Sequence, residues 1–151
     1  MWTVVFWRGL GGAIAILGMQ FLAGFGHMSL ALVPFATSIV LVLGAPEAEP
    51  AQPRALVGGH VISTLIGLAF SYALGPSPWV AAIAVGLAMV AMHFARALHP
   101  PAGIDPLIIV TQSLPWPFLF TTVLPGSLLL LAFAFVWHNA PARGSWPVRW
   151  R

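Results

Sequence analysis

The residues best suited to chemistry in this sequence lie in the stretch ARALHPPAGIDP, residues 95–106. Arg96 supplies a permanent cation, His99 an imidazole that titrates near neutral pH, and Asp105 a carboxylate. Two adjacent prolines and a glycine separate the histidine from the acid. Such a set is suited to binding an anion or to exchanging a proton, provided that the fold holds the three side chains near one another.

The two prolines at positions 100 and 101 predict an interrupted helix. Because proline lacks an amide donor and clashes with the preceding turn, the helix before it is expected to end near His99. A new helical piece would begin at Pro101, or at Asp105 as the N-cap with Pro106 following it. Either start leaves backbone amides free to contact an anion. The alternative is a tight turn at the membrane surface, whose charged side chains reach into water.

A second polar block, QPRALVGGH at residues 52–60, opens another hydrophobic run. Its His60 is either a buried polar group with satisfied hydrogen bonds or, together with Arg54, part of the lining of a path. Small residues recur every four positions along the same helix, a pattern that favours close helix packing. They are Gly59, Ser63, Gly67 and Ser71.

The charged residues on either side of Pro100 and Pro101 need an explanation, because a lone charge at the bilayer centre costs about 2.5–3.5 kcal/mol on insertion scales. Pairing of Arg96 with Asp105 would lower that cost. The alternative is a water-filled pathway in which the two residues have separate roles. His93 lies three residues before Arg96, on the same helical face, and would extend that polar face inward.

Composition identifies the kind of protein. The 151 residues are 60% hydrophobic and 6% charged, with a mean hydropathy of +0.95. Soluble domains carry about 25% charged residues, so we expect an integral membrane protein whose partner is the lipid bilayer. The six arginines are scattered, so nucleic-acid binding is not expected. There is no cysteine, and the histidines lack metal-binding spacing, so neither a metal nor a cofactor is expected.

Hydrophobic runs predict an all-α, polytopic transmembrane protein with four to six spans. The runs cover residues 10–25, 28–44, 56–74, 79–98, 104–114 and 118–137. The second is interrupted by Pro34, and the fifth is short enough to be a half-helix or re-entrant segment. PFATSIVLV (34–42) resembles PAGIDPLIIV (101–110), because in each a proline is followed by small or polar residues and then by an aliphatic run. Each half of the chain also contains a long, a short and a long hydrophobic segment in that order. This pattern favours an internal two-fold repeat, as in many transporters.

These blocks together resemble the HPP family of integral membrane proteins. GAPEAEPAQPRALVGGHVISTLIG is similar to one characteristic block of that family, and HPPAG is similar to the second. The resemblance implies a single transmembrane domain over residues 1–140, followed by a basic and aromatic tail over 141–151. The motif residues that it identifies are Gln52, Pro53, Arg54, Gly58, Gly59, His60, His99, Pro100, Pro101, Ala102 and Gly103.

The resemblance also implies a transporter for a small solute, with nitrite as the expected anion, in a bacterial inner membrane. Where many members continue with small residues, this chain has Ile104-Asp105-Pro106, and the acid would repel an anion unless Arg54 or Arg96 neutralised it. The candidate pathway residues are Arg54, His60, Arg96, His99, Gly103 and Asp105.

Other hypotheses stay open at this stage. The protein is expected to form a homo-oligomer, because one short chain offers little room for a path. A membrane scaffold without transport activity is the first alternative to a transporter. The second is an enzyme that uses His99 and Asp105 as acid and base, although no enzyme motif selects it and we expect neither an enzyme nor catalytic residues.

Overall fold

The computed structural model describes residues 2–24, 33–140 and 146–150, and across these ranges the chain forms helices and turns without a strand. The all-α prediction is therefore confirmed. The helices are α1 (Trp2–Gly24), α2 (Val33–Gly44), α3 (Pro53–Leu74), α4 (Pro78–Phe94), α5 (Asp105–Gln112) and α6 (Leu124–Asn139). Two 3-10 turns, Glu49–Ala51 and Pro100–Ile104, precede α3 and α5, and a π-helical turn, Leu119–Val123, leads into α6.

Three of the described helical segments are long and apolar enough to cross a bilayer: Trp2–Leu22, Pro53–Leu74 and Leu119–Asn139. Helices α2 and α4 are apolar but shorter. Helix α5 has eight residues, which confirms the half-helix predicted for the fifth run. The middle helix is the shortest in each half of the chain, with 12 residues in α2 and eight in α5, although the internal repeat itself stays a prediction. Residues 28–32 of the second run lie outside the described residues.

Helix α4 ends before the predicted break near His99, and the prolines are not the cause. Arg96 takes a left-handed conformation with φ 52°. Its amide donates to the His93 carbonyl at 3.0 Å, and the amide of Ala97 donates to the Met92 carbonyl at 2.9 Å. This is the Schellman arrangement that closes many helices, usually with glycine at the left-handed position. The prediction of the helix end was therefore wrong.

The small-residue stripe on α3 is confirmed as a close-packing surface, but the segment that it contacts is not a long helix. A Cβ atom on Gly59 would lie 2.6 Å from the Cβ of His99. One on Gly67 would lie 2.8 Å from the Cα of Pro106. The stripe therefore allows the segment before α5 and the first turn of α5 itself to lie directly against α3.

The described part of the predicted tail returns to the bundle. Trp146 is buried in a core cluster with Leu43, Leu56 and Ala134. The Gln52 side-chain oxygen accepts hydrogen bonds from the amides of Val148 at 2.9 Å and Arg149 at 3.2 Å. Trp146 is thus part of the protein core, whereas Trp150 is exposed. These contacts bring Arg149 close to the start of α3.

Candidate functional site

A buried serine on α2 lies at the centre of the polar interior. The Oγ atom of Ser38 is 2.9 Å from Nε2 of His60 on α3 and 2.8 Å from Nε2 of His99 in the segment after α4. It also lies 2.8 Å from the carbonyl oxygen of Pro34, one turn earlier. Ser38, His60 and His99 all have 0% of their surface exposed. One hydroxyl group therefore joins three separate parts of the chain.

Hydrogen bonds continue this contact in both directions. Nδ1 of His60 lies 2.9 Å from Oδ2 of Asp105, and the hydroxyl of Thr64 donates to the same oxygen at 3.3 Å. Nδ1 of His99 donates to the carbonyl oxygen of Pro50 at 2.7 Å. We call Ser38, His60, Thr64, His99 and Asp105 the buried histidine cluster. It forms a continuous hydrogen-bonded chain from Asp105 to the Pro50 carbonyl.

Local packing holds this cluster in place. The ring of Phe35 stacks on His60, with 4.7 Å between ring centroids. Ser63 donates to the carbonyl oxygen of Ala102 at 2.6 Å, which fixes the 3-10 turn against α3. The absence of a side chain at Gly59 lets His99 approach α3. The two proline-containing segments predicted as helix breaks thus meet through side chains within the bundle.

Two predictions about Asp105 were wrong. It does not cap α5 with its side chain, and its carboxyl group pairs with His60 rather than with Arg96. The reason is the orientation of α5, which begins at Asp105 and places the buried carboxylate against α3. A carboxylate in such a position is stabilised by a charged or donating partner, and His60 and Thr64 supply it.

The backbone amides expected to contact an anion are occupied at two positions after Pro101. The amide of Ala102 donates to the His99 carbonyl oxygen at 2.9 Å. The amide of Asp105 donates to the Ala102 carbonyl oxygen. The 3-10 turn uses these donors internally, so the prediction that they are free was wrong.

A separate polar cavity of about 870 Å³ lies next to the cluster. Its lining includes Glu49, Pro50, Gln52, Arg54, Ala55, His93, Phe94, Arg96, Leu98 and Arg149. We call this cavity the arginine vestibule. Three arginines against one glutamate give it a positive charge, which attracts anions. The guanidinium of Arg54 donates to the Ala95 carbonyl oxygen at 2.9 Å, which holds its head group in place.

The vestibule and the cluster meet at Pro50. This residue lines the vestibule, and its carbonyl oxygen accepts the hydrogen bond from His99. Pro50 also lines a shallower cavity of about 430 Å³ together with Pro100 and Pro101. The His99 ring is therefore separated from a charged, open surface by a single residue.

Five of the six residues predicted for one pathway fall into two groups. Arg54 and Arg96 line the vestibule, whereas His60, His99 and Asp105 lie in the buried cluster. Gly103 is partly buried on the 3-10 turn and belongs to neither. Among the other motif residues, Gln52, Pro53, Gly59 and Ala102 are buried, Gly58 and Pro101 are partly buried, and Pro100 is exposed.

Sequence reasoning missed the central role of Ser38 and the contribution of Arg149. Ser38 lies within PFATS, which the proposed repeat aligns with the segment that follows His99 and Pro100. That alignment was the one indication that Ser38 could belong to the site. Arg149 belongs to the basic and aromatic tail over 141–151, for which no role in a site was predicted. His93 is exposed and lines the vestibule, so it extends the polar face toward this cavity and not toward the buried cluster.

Ser38, His60 and Asp105 have the order of contacts found in hydrolytic serine, histidine and acid triads. Here, however, the serine hydroxyl is fully buried and is also bonded to His99. A nucleophile must reach a substrate, whereas a hydroxyl between two imidazoles is placed to pass a proton from one to the other. The geometry therefore favours proton exchange over nucleophilic attack.

Comparison with known proteins agrees with the motifs. A family model described as "HPP, transmembrane region" matches residues 1–147. One transmembrane protein of Dictyostelium discoideum is 38% identical over 124 residues, which cover 77% of this chain and 40% of the relative. A second is 34% identical over 132 residues, covering 82% and 46% respectively. The chain thus spans less than half the length of these relatives. No solved structure matches it.

Proposed function

The chain belongs to the HPP family of transmembrane proteins, and from that premise we propose that it transports a small inorganic anion such as nitrite. The observation that carries the proposal is the arginine vestibule, whose lining residue Pro50 holds His99 of the HPP motif. Transport through an assembly of several copies and residence in a bacterial inner membrane belong to the same proposal. The two relatives come from a eukaryote and give the bacterial location no support.

Charge and position both favour an anion as the solute. Arg54, Arg96 and Arg149 face the same cavity, and Glu49 is the acidic residue in its lining. Asp105, the acid expected to repel an anion, is buried beside His60, away from this cavity. The vestibule can therefore concentrate anions without direct opposition from the Asp105 carboxylate.

Removing two vestibule cations is expected to slow anion uptake. We expect the double variant Arg54→Gln, Arg96→Gln to take up nitrite at least about tenfold more slowly than the unchanged protein. Charge-assisted hydrogen bonds are worth about 1.5–3 kcal/mol each, and about 1.4 kcal/mol corresponds to a factor of ten in binding. The measurement is the initial rate of nitrite and nitrate uptake into proteoliposomes at low ionic strength.

Arg8→Gln provides the matched control, because Arg8 lies on α1 and pairs with Glu47 at 2.9 Å, outside the vestibule lining. That contact is exposed, and the pKa of Glu47 is lowered first by a hydrogen bond from its own backbone and then by Arg8. Protein-free liposomes give the baseline, because nitrous acid crosses lipid unaided. Equal uptake by the double variant and the control would remove the vestibule from the pathway. No uptake by the unchanged protein would favour the scaffold alternative.

A further inference from the structure

We propose that the buried histidine cluster is a proton relay in which Ser38 passes a proton between His60 and His99. The relay deepens the proposed function, on which it rests for the anion that the proton would accompany. It is carried by geometry: Ser38 Oγ lies 2.9 Å and 2.8 Å from the two Nε2 atoms, and all three side chains are buried.

The number of protons available to the buried histidine cluster determines the direction of its hydrogen bonds. The Pro50 carbonyl can only accept, so Nδ1 of His99 carries a proton. Neutral His99 therefore presents a lone pair to Ser38 through Nε2. The single hydroxyl proton of Ser38 faces this nitrogen, the Pro34 carbonyl oxygen and Nε2 of His60. All contacts with the two rings are satisfied only if one of the Nε2 atoms carries a proton and donates it to Ser38.

In one arrangement that proton is on His60. Nε2 of His60 then donates to Ser38, and Ser38 donates to His99. On the other side of the His60 ring, a second proton lies between Nδ1 and Oδ2 of Asp105. His60 and Asp105 are then an imidazolium with a carboxylate, or a neutral imidazole with a carboxylic acid. Both forms have no net charge, as burial inside a membrane protein favours.

The relay step transfers one proton and leaves the net charge unchanged. The Nε2–H bond of His60 breaks as an O–H bond forms at Ser38, and the original O–H bond of Ser38 breaks as an N–H bond forms at Nε2 of His99. His60 keeps the proton on Nδ1 and donates it to the Asp105 carboxylate. His99 becomes an imidazolium that donates to Ser38 and to Pro50. A positive charge has thereby moved from α3 toward the vestibule.

The vestibule gives this step a link to the anion. Burial of the His99 ring and the nearby His60 ring oppose a positive charge on His99. The net positive lining of the empty vestibule, which meets the cluster at Pro50, would add to that opposition. An anion bound among the arginines would reduce that repulsion and favour the proton on His99. On the opposite side, Asp105 favours the proton on His60. Occupation of the vestibule would therefore shift the balance toward a proton on His99.

Ser38→Ala tests the relay, because it removes the hydroxyl and leaves both histidines. We expect proton uptake that accompanies nitrate or nitrite to fall about 100-fold, the lower end of what a positioned proton-transfer group contributes. A pH-sensitive dye inside proteoliposomes reports proton uptake, while anion uptake is assayed separately. Ser38→Thr keeps a hydroxyl and is expected to restore part of the rate. Ser127→Ala is the matched control, since Ser127 is equally buried but, among the described residues, donates to the Leu124 carbonyl oxygen within α6 and to no other helix.

The possible outcomes separate the relay from the proposed function. Anion uptake by the unchanged protein without proton uptake would overturn the relay and leave anion transport standing. Proton uptake by Ser38→Ala equal to that of Ser127→Ala would do the same. Absence of both fluxes in the unchanged protein would overturn both proposals. Covalent labelling of Ser38 by a fluorophosphonate would assign it as a nucleophile and overturn the relay.

Nitrogen-15 NMR of the histidine side chains tests the relay without any variant. A proton on Nδ1 of His99 and one on Nε2 of His60 or His99 is the expected pattern. A His99 ring lacking the proton on Nδ1 would contradict the assignment of Nδ1 as the donor to Pro50, on which the relay depends.

Discussion

Replacing Asp105 with alanine is expected to lower the free energy of unfolding by about 3–5 kcal/mol, the usual cost of removing one partner from a buried ion pair. The substitution leaves His60 and the Thr64 hydroxyl without the carboxylate oxygen that both contact. Asp105 is 4% exposed and His60 is 0% exposed, so water cannot readily replace the lost partner. Unfolding in mixed detergent micelles with increasing SDS measures the change.

Asp105→Asn is the matched control for that result. The amide oxygen of asparagine has nearly the same position and can accept a hydrogen bond from Nδ1 of His60, so this variant is expected to keep most of the stability. It cannot carry a negative charge, however, and is expected to lose proton-linked uptake. An alanine variant that costs less than about 1 kcal/mol would show that the pair does not support the fold.

Gly59→Ala is expected to lower the free energy of unfolding by about 1–3 kcal/mol, as overpacking in a closely packed interior does. The added methyl group would lie 2.6 Å from the Cβ of His99 and 3.1 Å from the carbonyl oxygen of Ala97. Favourable contacts between carbon atoms lie at about 3.5–4.0 Å, so the segment after α4 must shift. Because His99 moves with that segment, its bond to Ser38 is weakened and transport is expected to fall as well.

Gly86→Ala on α4 is the control for this prediction. Apart from its own stretch of helix, no atom of the described residues lies within 4 Å of a Cβ at that position. The substitution should leave stability unchanged or raise it by about 0.5–1 kcal/mol, because alanine favours a helix more than glycine. Equal stabilities for the Gly59 and Gly86 variants would contradict the close approach of His99 to α3.

The helical elements could be predicted from the sequence because hydrophobic runs and prolines act locally. The shortness of α5 followed from the length of the fifth hydrophobic run and the prolines around it, and the close packing at Gly59 and Gly67 followed from the four-residue spacing of small residues. The end of α4 did not, because an arginine takes the left-handed position at which glycine is the usual signal. The prolines at 100 and 101 lie beyond that end, and because they were used as the signal, the helix end was predicted too late in the chain.

The partners within the candidate site depend on contacts that local patterns do not encode. Ser38 and His99 are separated by 61 positions along the chain, and His60 and Asp105 by 45. Which side of α2 faces α3 decides whether Ser38 is central or exposed to lipid, since Thr37 beside it is exposed. Motif residues could therefore be identified from the sequence, but their separation into a buried cluster and an arginine vestibule required the fold.

The most direct test is whether a pH gradient alone drives anion accumulation in proteoliposomes that contain the unchanged protein. With acid outside and equal nitrate on both sides, coupled movement predicts that nitrate inside rises above nitrate outside, and that a protonophore abolishes the rise. Nitrate is chosen because its conjugate acid is strong and gives little unaided flux. Nitrate that moves only down its own gradient, with no accompanying change of internal pH, would contradict proton-coupled anion transport by this protein.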